Sequence, residues 1–207
     1  MGYVNYYIIC FTILIGFAAF RAIAYQNKKS KRAMEEFWNR EAKANSVRRA
    51  DISNLDYITF DIDKLPINEA TSLGFSDICA EIKGISNRKF LNLSDYTNTD
   101  LKMMYGPANL EALSEYDNNY NYLLRLLNKL SKELMNVNHP EYAKLVLETS
   151  IHLGSTLSSD FEMLGSIYYD ANDYSSLKKL EATADNIESL SKSLILNKLN
   201  NIKTRDK

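Results

Sequence analysis

Side chains that commonly do chemistry are scarce in this chain. Two histidines, His139 and His152, and two cysteines, Cys10 and Cys79, are spread over 207 residues. The histidines are too few for a typical zinc site built on imidazole ligands. Cys10 lies inside an apolar segment and Cys79 in the body of the chain, so we expect no disulfide, as in a reducing compartment. These residues predict neither a metal site nor a cofactor.

One acidic pair in the middle of the chain has the spacing of a cation site. Asp61 and Asp63 form a D-x-D pattern, which can bind divalent cations in enzymes that use sugar nucleotides. No Gly-rich loop or further carboxylate cluster accompanies the pair, so the acidic outer face of a strand is the expected interpretation.

Motifs of the common enzyme classes are also missing from the sequence. It contains no G-x-S-x-G, H-E-x-x-H or C-x-x-C pattern, and no nucleophile with a neighbouring base is evident. The sequence therefore predicts a protein that is not an enzyme and has no catalytic residues. Because catalytic groups can be distant in sequence, an enzyme of unrecognised type, with its site in the middle region, is kept as an alternative.

An apolar segment near the N-terminus dominates the chain's organisation. Residues 4–24 read VNYYIICFTILIGFAAFRAIA, with Arg21 as the only charge. About 20 helical residues span the hydrocarbon core of a bilayer. Four basic residues follow within 28–32, so residues 1–25 are predicted to be a transmembrane anchor with the body in the cytoplasm. The alternative is a cleaved signal peptide, since residues 22–24 fit an A-x-A site, but its charges would precede the apolar run.

Charge divides the remainder of the chain. Nine basic and three acidic residues lie between Arg21 and Arg49, whereas 16 basic and 23 acidic residues follow from Asp51 onwards. A basic stretch beside the anchor suits the anionic surface of a membrane. The acidic body lacks the basic face that nucleic acid requires, so nucleic acid is excluded as a partner.

Residues 26–50 are predicted to form a basic juxtamembrane helix, regular from Asn27 to Asn45. Phe37 and Trp38 form an aromatic pair in this otherwise polar stretch. One interpretation is a solvated spacer helix whose basic side chains meet lipid head groups. The other is a docking face for a partner or for the body itself, because a pair of exposed aromatic residues favours burial. Phe37 and Trp38 are therefore candidate partner-binding residues.

The middle region, residues 51–106, has mixed character. Alternating apolar and polar residues over 55–65 predict a strand, and 89–94 could supply a short second one. Helices are predicted over 68–83 and 99–105 from their apolar spacing. With only 7 Gly and 3 Pro in the chain, the predicted class is mainly α, with one or two short strands in this region.

The C-terminal half contains two similar segments. Residues 126–150 align without gaps with residues 160–184. The second segment has Phe161, Leu164, Gly165 and Tyr168 on its first helix, at the spacing of a tetratricopeptide repeat. The aligned pairs are Leu127 with Phe161, Leu130 with Leu164, Ser131 with Gly165, Leu134 with Tyr168, Asn138 with Asn172, Ala143 with Leu177, Val146 with Leu180 and Ser150 with Ala184.

This pattern resembles two degenerate tetratricopeptide repeats, in which a small residue lets the paired helices approach closely. The offset between the segments also matches the period of that repeat, which is about 34 residues. Leu177 and Ser131 depart from the motif, and no Pro closes either copy. Two repeats need caps at both ends, which residues 109–122 and 190–202 could supply.

Residues 107–207 are thus predicted to be a tetratricopeptide-like domain, and an unrelated helical bundle is the alternative. The layout of the whole chain, with FWNREAKANSVRR after an anchor and YGPANL before the helices, also resembles that of membrane-anchored proteins of Gram-positive bacteria. That second resemblance implies no known activity.

The resemblance to tetratricopeptide repeats implies a ligand groove lined by the first helix of each repeat. The first copy is basic and rich in amides and the second acidic, which would favour an extended peptide with charges in the opposite order. The leading hypothesis is a membrane-tethered adaptor that holds a protein partner at the cytoplasmic face. A structural subunit of a membrane complex is a further alternative. The groove residues are Arg125, Asn128, Lys132, Met135 and Asn136, then Ser159, Glu162, Ser166, Tyr169 and Asp170.

Overall fold

The computed structural model describes residues 2–204, with side chains from Phe11 onwards except Ile13. This part of the chain forms nine α-helices and two short 3-10 helices, so the mainly helical class is confirmed. The α-helices are α1 (Gly2–Asn45), α2 (Ile67–Ser72), α3 (Ser76–Ile85), α4 (Asn98–Tyr105), α5 (Leu110–Asn136), α6 (Pro140–His152), α7 (Ser158–Asp170), α8 (Tyr174–Asp185) and α9 (Lys192–Lys203).

The chain divides into two compact units. The first contains the residues up to Ser53 together with Asp95–Glu111. The second contains Asn54–Ser94 and the residues from Ala112 onwards. Two separate stretches of sequence contribute to each unit, so neither unit is continuous along the chain.

In the first unit, α1 is one uninterrupted helix, so the predicted juxtamembrane helix continues back towards the N-terminus without a break. Helix α4 packs against its C-terminal end, where Ala44 is completely buried. The Glu41 carboxylate accepts a hydrogen bond from the Thr99 hydroxyl at 2.7 Å and also pairs with Lys102. Helix α4 begins with a capping box, in which the side chains of Thr97 and Asp100 each bind the other's backbone N–H.

Among the side chains that the structure describes, the large apolar residues of α1 are exposed, including Phe11, Phe17 and Phe20. Where side chains are described, no helix is both long and apolar enough to cross a membrane. The predicted anchor, residues 1–25, falls partly outside these residues, because it includes 1–10 and Ile13. The structure gives the anchor no support, and it stays a prediction from the sequence.

A buried asparagine holds the turn that follows α1. The Asn109 amide nitrogen donates to the carbonyl oxygens of Ala50 and Tyr105, at 2.8 and 2.7 Å, and its oxygen accepts from Arg49 at 3.0 Å. Gly106 ends α4 at φ 82°, and a Cβ there would lie 2.6 Å from the Arg48 carbonyl oxygen. Only glycine fits this position, which agrees with the predicted end of the helix.

In the second unit, the two predicted strands are reduced to one contact. The Ile58 N–H donates to the Phe90 carbonyl at 3.0 Å, in a single antiparallel bridge. The strand prediction is wrong for residues 62–64, which form a 3-10 turn. The turn begins there because the Asp61 carboxylate caps it by accepting from the Asp63 N–H at 3.1 Å.

The helix predicted over 68–83 is two helices in the structure. Helices α2 and α3 are separated by Gly74, whose φ of 98° lies in the left-handed region. Gly84, the first residue after the predicted helix, lies inside α3. The break therefore comes from a turn that needs a glycine rather than from the loss of apolar spacing.

One continuous apolar core joins the helices of the second unit. Helix α5 runs without interruption through the predicted cap region and the first helix of copy one. The completely or almost completely buried side chains include Ile82, Phe90, Leu123, Leu127, Leu130, Leu134, Leu147, Phe161, Leu164, Leu177 and Ile195.

Candidate interaction site

The site rests on a helical hairpin that occurs twice. The first hairpin has α5 ending at Asn136 and α6 beginning at Pro140, and the second has α7 ending at Asp170 and α8 beginning at Tyr174. The end of α7 follows the end of α5, and the start of α8 follows the start of α6, by the same offset that relates the two aligned sequence segments. The boundaries of the two hairpins therefore agree with the offset of the aligned segments, and the assignment to tetratricopeptide repeats stays a prediction.

The turns inside the two hairpins share one backbone conformation. Asn138 and Asn172 both adopt left-handed conformations, with φ of 60° and 58°. Asparagine tolerates this conformation better than most other residues. The two turns therefore adopt the same left-handed backbone conformation at equivalent positions.

The two turns also contain equivalent backbone hydrogen bonds. The N–H of His139 donates to the Leu134 carbonyl at 2.9 Å, and the equivalent N–H of Asp173 donates to the Tyr168 carbonyl at 2.8 Å. Both close the end of the first helix by a bond that reaches back five residues. Every aligned pair from Leu127 with Phe161 to Ser150 with Ala184, apart from the two turn asparagines, is buried in both hairpins.

Helix α9 continues the series. It begins at Lys192, which follows the start of α7 at Ser158 by the same offset. Its Ile195 and Ile202 are buried at the positions equivalent to Phe161 and Tyr168. Helix α9 thus corresponds to α7, as the first helix of a third hairpin would. The sequence comparison missed this correspondence. The sequence contains this correspondence, because applying the same offset towards the C-terminus aligns Ile195 and Ile202 with Phe161 and Tyr168.

Two of the predicted groove residues meet between α5 and α7. The Asn128 amide nitrogen donates to the Ser159 hydroxyl at 2.8 Å and to the Asp160 carboxylate at 2.5 Å. These bonds join the first helices of the two hairpins side by side. They also occupy the polar atoms that the prediction had assigned to a partner.

A further predicted residue is paired with α9. The Glu162 carboxylate lies 2.6 Å from the Lys198 ammonium nitrogen. Side-chain hydrogen bonds therefore link α5 to α7, and an ion pair links α7 to α9. The acidic charge expected on the second hairpin is partly neutralised there by Lys198.

The remaining predicted residues differ in exposure. Arg125, Lys132, Asn136 and Asp170 are exposed, whereas Met135, Ser166 and Tyr169 are half-buried. The Tyr169 ring packs edge-on against Tyr174, with ring centroids 6.0 Å apart. The exposed members form a basic end on α5 and an acidic end on α7.

Phe37 and Trp38 belong to α1, in the first unit. Both are exposed, and their rings contact each other edge-on with centroids 5.3 Å apart. The predicted residues of α5 and α7 belong to the second unit. Their role in binding stays a prediction.

A buried carboxylate lies behind this face, and sequence reasoning did not find it. Asp160 is completely buried. It accepts hydrogen bonds from the hydroxyls of Ser150 and Ser155, at 2.8 and 2.7 Å, and from the Asn128 amide. Among the described residues no cation pairs with it. Its charge is stabilised by three neutral donors and by its place in the first turn of α7.

Two hollows lie beside α6. A cleft of about 590 Å³ lies between residues 59–64 and α6, where it is lined by Asp61, Lys64 and His152. A smaller hollow of about 430 Å³ lies between α6 and α8 and shares Glu148 and His152 with the cleft. Asp61 of the predicted D-x-D pair caps the turn at 62–64. Among the residues whose side chains are described, no three His, Cys or carboxylate groups are placed to hold a metal.

Tyr168 connects α7 to α6. Its hydroxyl donates to the Glu148 carboxylate at 2.7 Å, across the contact of α7 with α6. Burial and this neighbouring carboxylate raise the pKa of the Tyr168 hydroxyl, so it stays protonated and donates at every physiological pH.

Comparison of the chain with protein-family models, with curated proteins and with solved structures finds no match.

Proposed function

We propose that the protein is a membrane-tethered adaptor that binds a protein partner on the face formed by α5, α7 and α9. The observation that carries this proposal is the repetition of one hairpin at a fixed offset along the chain, followed by a third helix at the same offset. Stacked helical hairpins of this length typically build extended binding surfaces. Their packing resembles that of tetratricopeptide repeats.

The exposed charges suggest how a partner would be oriented. Arg125 and Lys132 are exposed on α5, and Asp170 is exposed on α7. A peptide with acidic residues near α5 and a basic residue near the end of α7 would match these charges. Such complementarity favours one orientation of the peptide more than it increases affinity.

A charge reversal tests the binding face. The variant Arg125→Glu with Lys132→Glu should lose the partner that wild-type protein captures in reciprocal pull-down from a detergent extract. The matched control is Lys178→Glu with Lys179→Glu, which changes two exposed lysines on α8. Equal capture by both variants, with unchanged circular dichroism, would refute this face as the site.

Tethering is the second part of the proposal. Between Phe11 and Ile23 the large apolar side chains that the structure describes are exposed on all sides of α1, and Arg21 is the only charged residue in this stretch. Lipid would cover such a surface in every direction, and the basic residues that follow would hold the body in the cytoplasm. The anchor itself is proposed from the sequence of residues 4–24.

Reporter fusions test the orientation. A fluorescent protein fused to the C-terminus should be bright, and an alkaline phosphatase fused there should be inactive, if the body lies in the cytoplasm. Neutralising Lys28, Lys29, Lys31 and Arg32 should weaken the preference. An active phosphatase on the wild-type chain would show the opposite orientation.

The cleft beside α6 favours one second candidate, an enzyme with its site in the middle region. The cleft places Asp61 and His152 on its walls next to residues 59–64. A small molecule that raises the melting temperature of wild-type protein, but not of His152→Ala, would favour this candidate. A compound that stabilises both proteins equally would not bind there.

A further inference from the structure

Between Arg21 and Arg40, the charged residues of α1 avoid one line along the helix. This line follows steps of three and four residues, which keeps it on one side of an α-helix. Six of the eight charged residues from Arg21 to Arg40 lie on the opposite side, and Lys31 and Arg40 flank the line. The line consists of Phe20, Ile23, Asn27, Ser30, Met34 and Phe37.

The apolar members of this line are uncovered within the described chain. The exposed fractions are 67% for Phe20, 60% for Ile23, 55% for Met34 and 51% for Phe37. Side chains of this size at a repeating spacing form the seam of a coiled coil when a second helix covers them. A helix of 44 residues is also much longer than a typical helix of a globular protein.

The same line becomes an interface further along α1. The next two positions in the series are Glu41 and Ala44, which α4 covers. The end of the line is therefore already a packing surface within the chain. Its continuation from Phe37 back to Phe20 has the same spacing and lacks a covering helix among the described residues.

Lipid does not reach the whole line when the chain is anchored as proposed above. Phe37 follows Ala24 by 13 residues, a distance of about 20 Å along a helix. The head-group region of a bilayer adds only about 5 to 8 Å on each side of the hydrocarbon core. Met34 and Phe37 thus need a protein surface, and two copies anchored in one membrane would present their α1 helices in parallel.

We propose that α1 pairs with α1 of a second copy as a parallel coiled coil along residues 20–37. In this arrangement Phe20, Asn27 and Met34 occupy the a positions, and Ile23, Ser30 and Phe37 the d positions. Asn27 then meets its own counterpart, and a buried asparagine at one a position fixes register and favours two strands. Most basic residues lie on the outside of the pair, which limits repulsion between the helices.

Cysteine cross-linking of the full chain in membranes tests this seam. In a Cys10→Ser background, Asn27→Cys and Met34→Cys should each form a disulfide-linked dimer under mild oxidation. Asn39→Cys is the control, because this position points outward. We expect linkage at least about tenfold faster at the two seam positions, since only they bring the Cα atoms within disulfide reach. Equal rates at all three positions, or linkage at only one seam position, would overturn the parallel pair.

A mass measurement makes the test independent of cysteine chemistry. Light scattering of detergent-solubilised protein should give a dimer for wild type and for Asn39→Glu, and a monomer for Phe37→Glu. A monomeric wild type, or a dimeric Phe37→Glu, would refute the proposal. The parallel direction depends on the proposed anchor, but the reporter fusions report orientation separately, so failure of the anchor and failure of the pairing are distinguishable.

Discussion

Two junctions, one between the first and second helical hairpins and one between the second hairpin and α9, are stabilised by different kinds of contact. At the first junction, Asp160 of α7 accepts hydrogen bonds from Ser150 of α6 and Asn128 of α5. At the second, α7 meets α9 through Gly165, whose neighbours are Leu199 and Ile202. A buried polar cluster joins the first pair of elements, and close apolar packing joins the second.

This difference shows how one helical pattern can be stabilised in two ways. Hydrogen bonds to a buried carboxylate are directional and fix how the elements lie, but any donor left without its acceptor is costly. Apolar contact is less directional, but it tolerates little extra volume. The first junction should therefore be sensitive to loss of polar atoms, and the second to added methyl groups.

The largest effect is expected at Asp160. The variant Asp160→Ala leaves the buried hydroxyls of Ser150 and Ser155 without their acceptor and removes one of the two acceptors of the half-buried Asn128 amide. It should lower the free energy of unfolding by about 3 kcal/mol or more. Thermal unfolding of the full chain measures this loss. Asp160→Asn keeps one acceptor oxygen and should lose less. Equal losses for the two variants would mean that the cavity, and not the hydrogen bonding, determines stability.

The second junction should respond to volume at Gly165. A Cβ there would lie 2.7 Å from Leu199 Cδ2 and 3.0 Å from Ile202 Cδ1. Gly165→Leu should therefore cost about 1 to 3 kcal/mol in unfolding free energy. Gly84→Leu is the control, because that helical glycine has open space around it. If both variants have the wild-type melting temperature, close packing at α9 is refuted.

A smaller effect is expected where Tyr168 joins α7 to α6. Tyr168→Phe keeps the buried ring but removes the hydroxyl that donates to Glu148. The expected loss is about 0.5 to 1.5 kcal/mol, measured by denaturant unfolding. Removal of the acceptor by Glu148→Ala in the same background should then add little, and a fully additive double variant would contradict the bond.

The smallest effect is expected for the ion pair at the edge of the second junction. Glu162→Gln removes a partly exposed charge pair with Lys198, so the loss should be about 0.2 to 1 kcal/mol. Raising the salt concentration should reduce the difference from wild type, because screening weakens exposed pairs. A loss as large as that of Asp160→Ala would remove the contrast between the two junctions.

The repeated hairpins could be predicted because their determinants are local. Apolar spacing places the helices, and the turn asparagines Asn138 and Asn172 mark where they end. The contacts of Asp160 could not be predicted, because its donors Ser150 and Asn128 come from different helices and have no spacing rule. The strand prediction failed over 62–64 for a local reason that competes with alternation, since Asp61 caps a turn there.

Helix α1 also has a mechanical consequence. Its 44 residues without a break correspond to a rod about 66 Å long at the rise of an α-helix. A rotation of the helix near Phe11 would be transmitted along it towards Ala44, where α4 packs. Each inserted residue would turn the α4 end by about 100° relative to the N-terminal end, while seven inserted residues would restore its direction and lengthen the rod by about 10 Å. Insertions of one, two and seven residues after Lys29 would thus separate the effect of direction from the effect of distance.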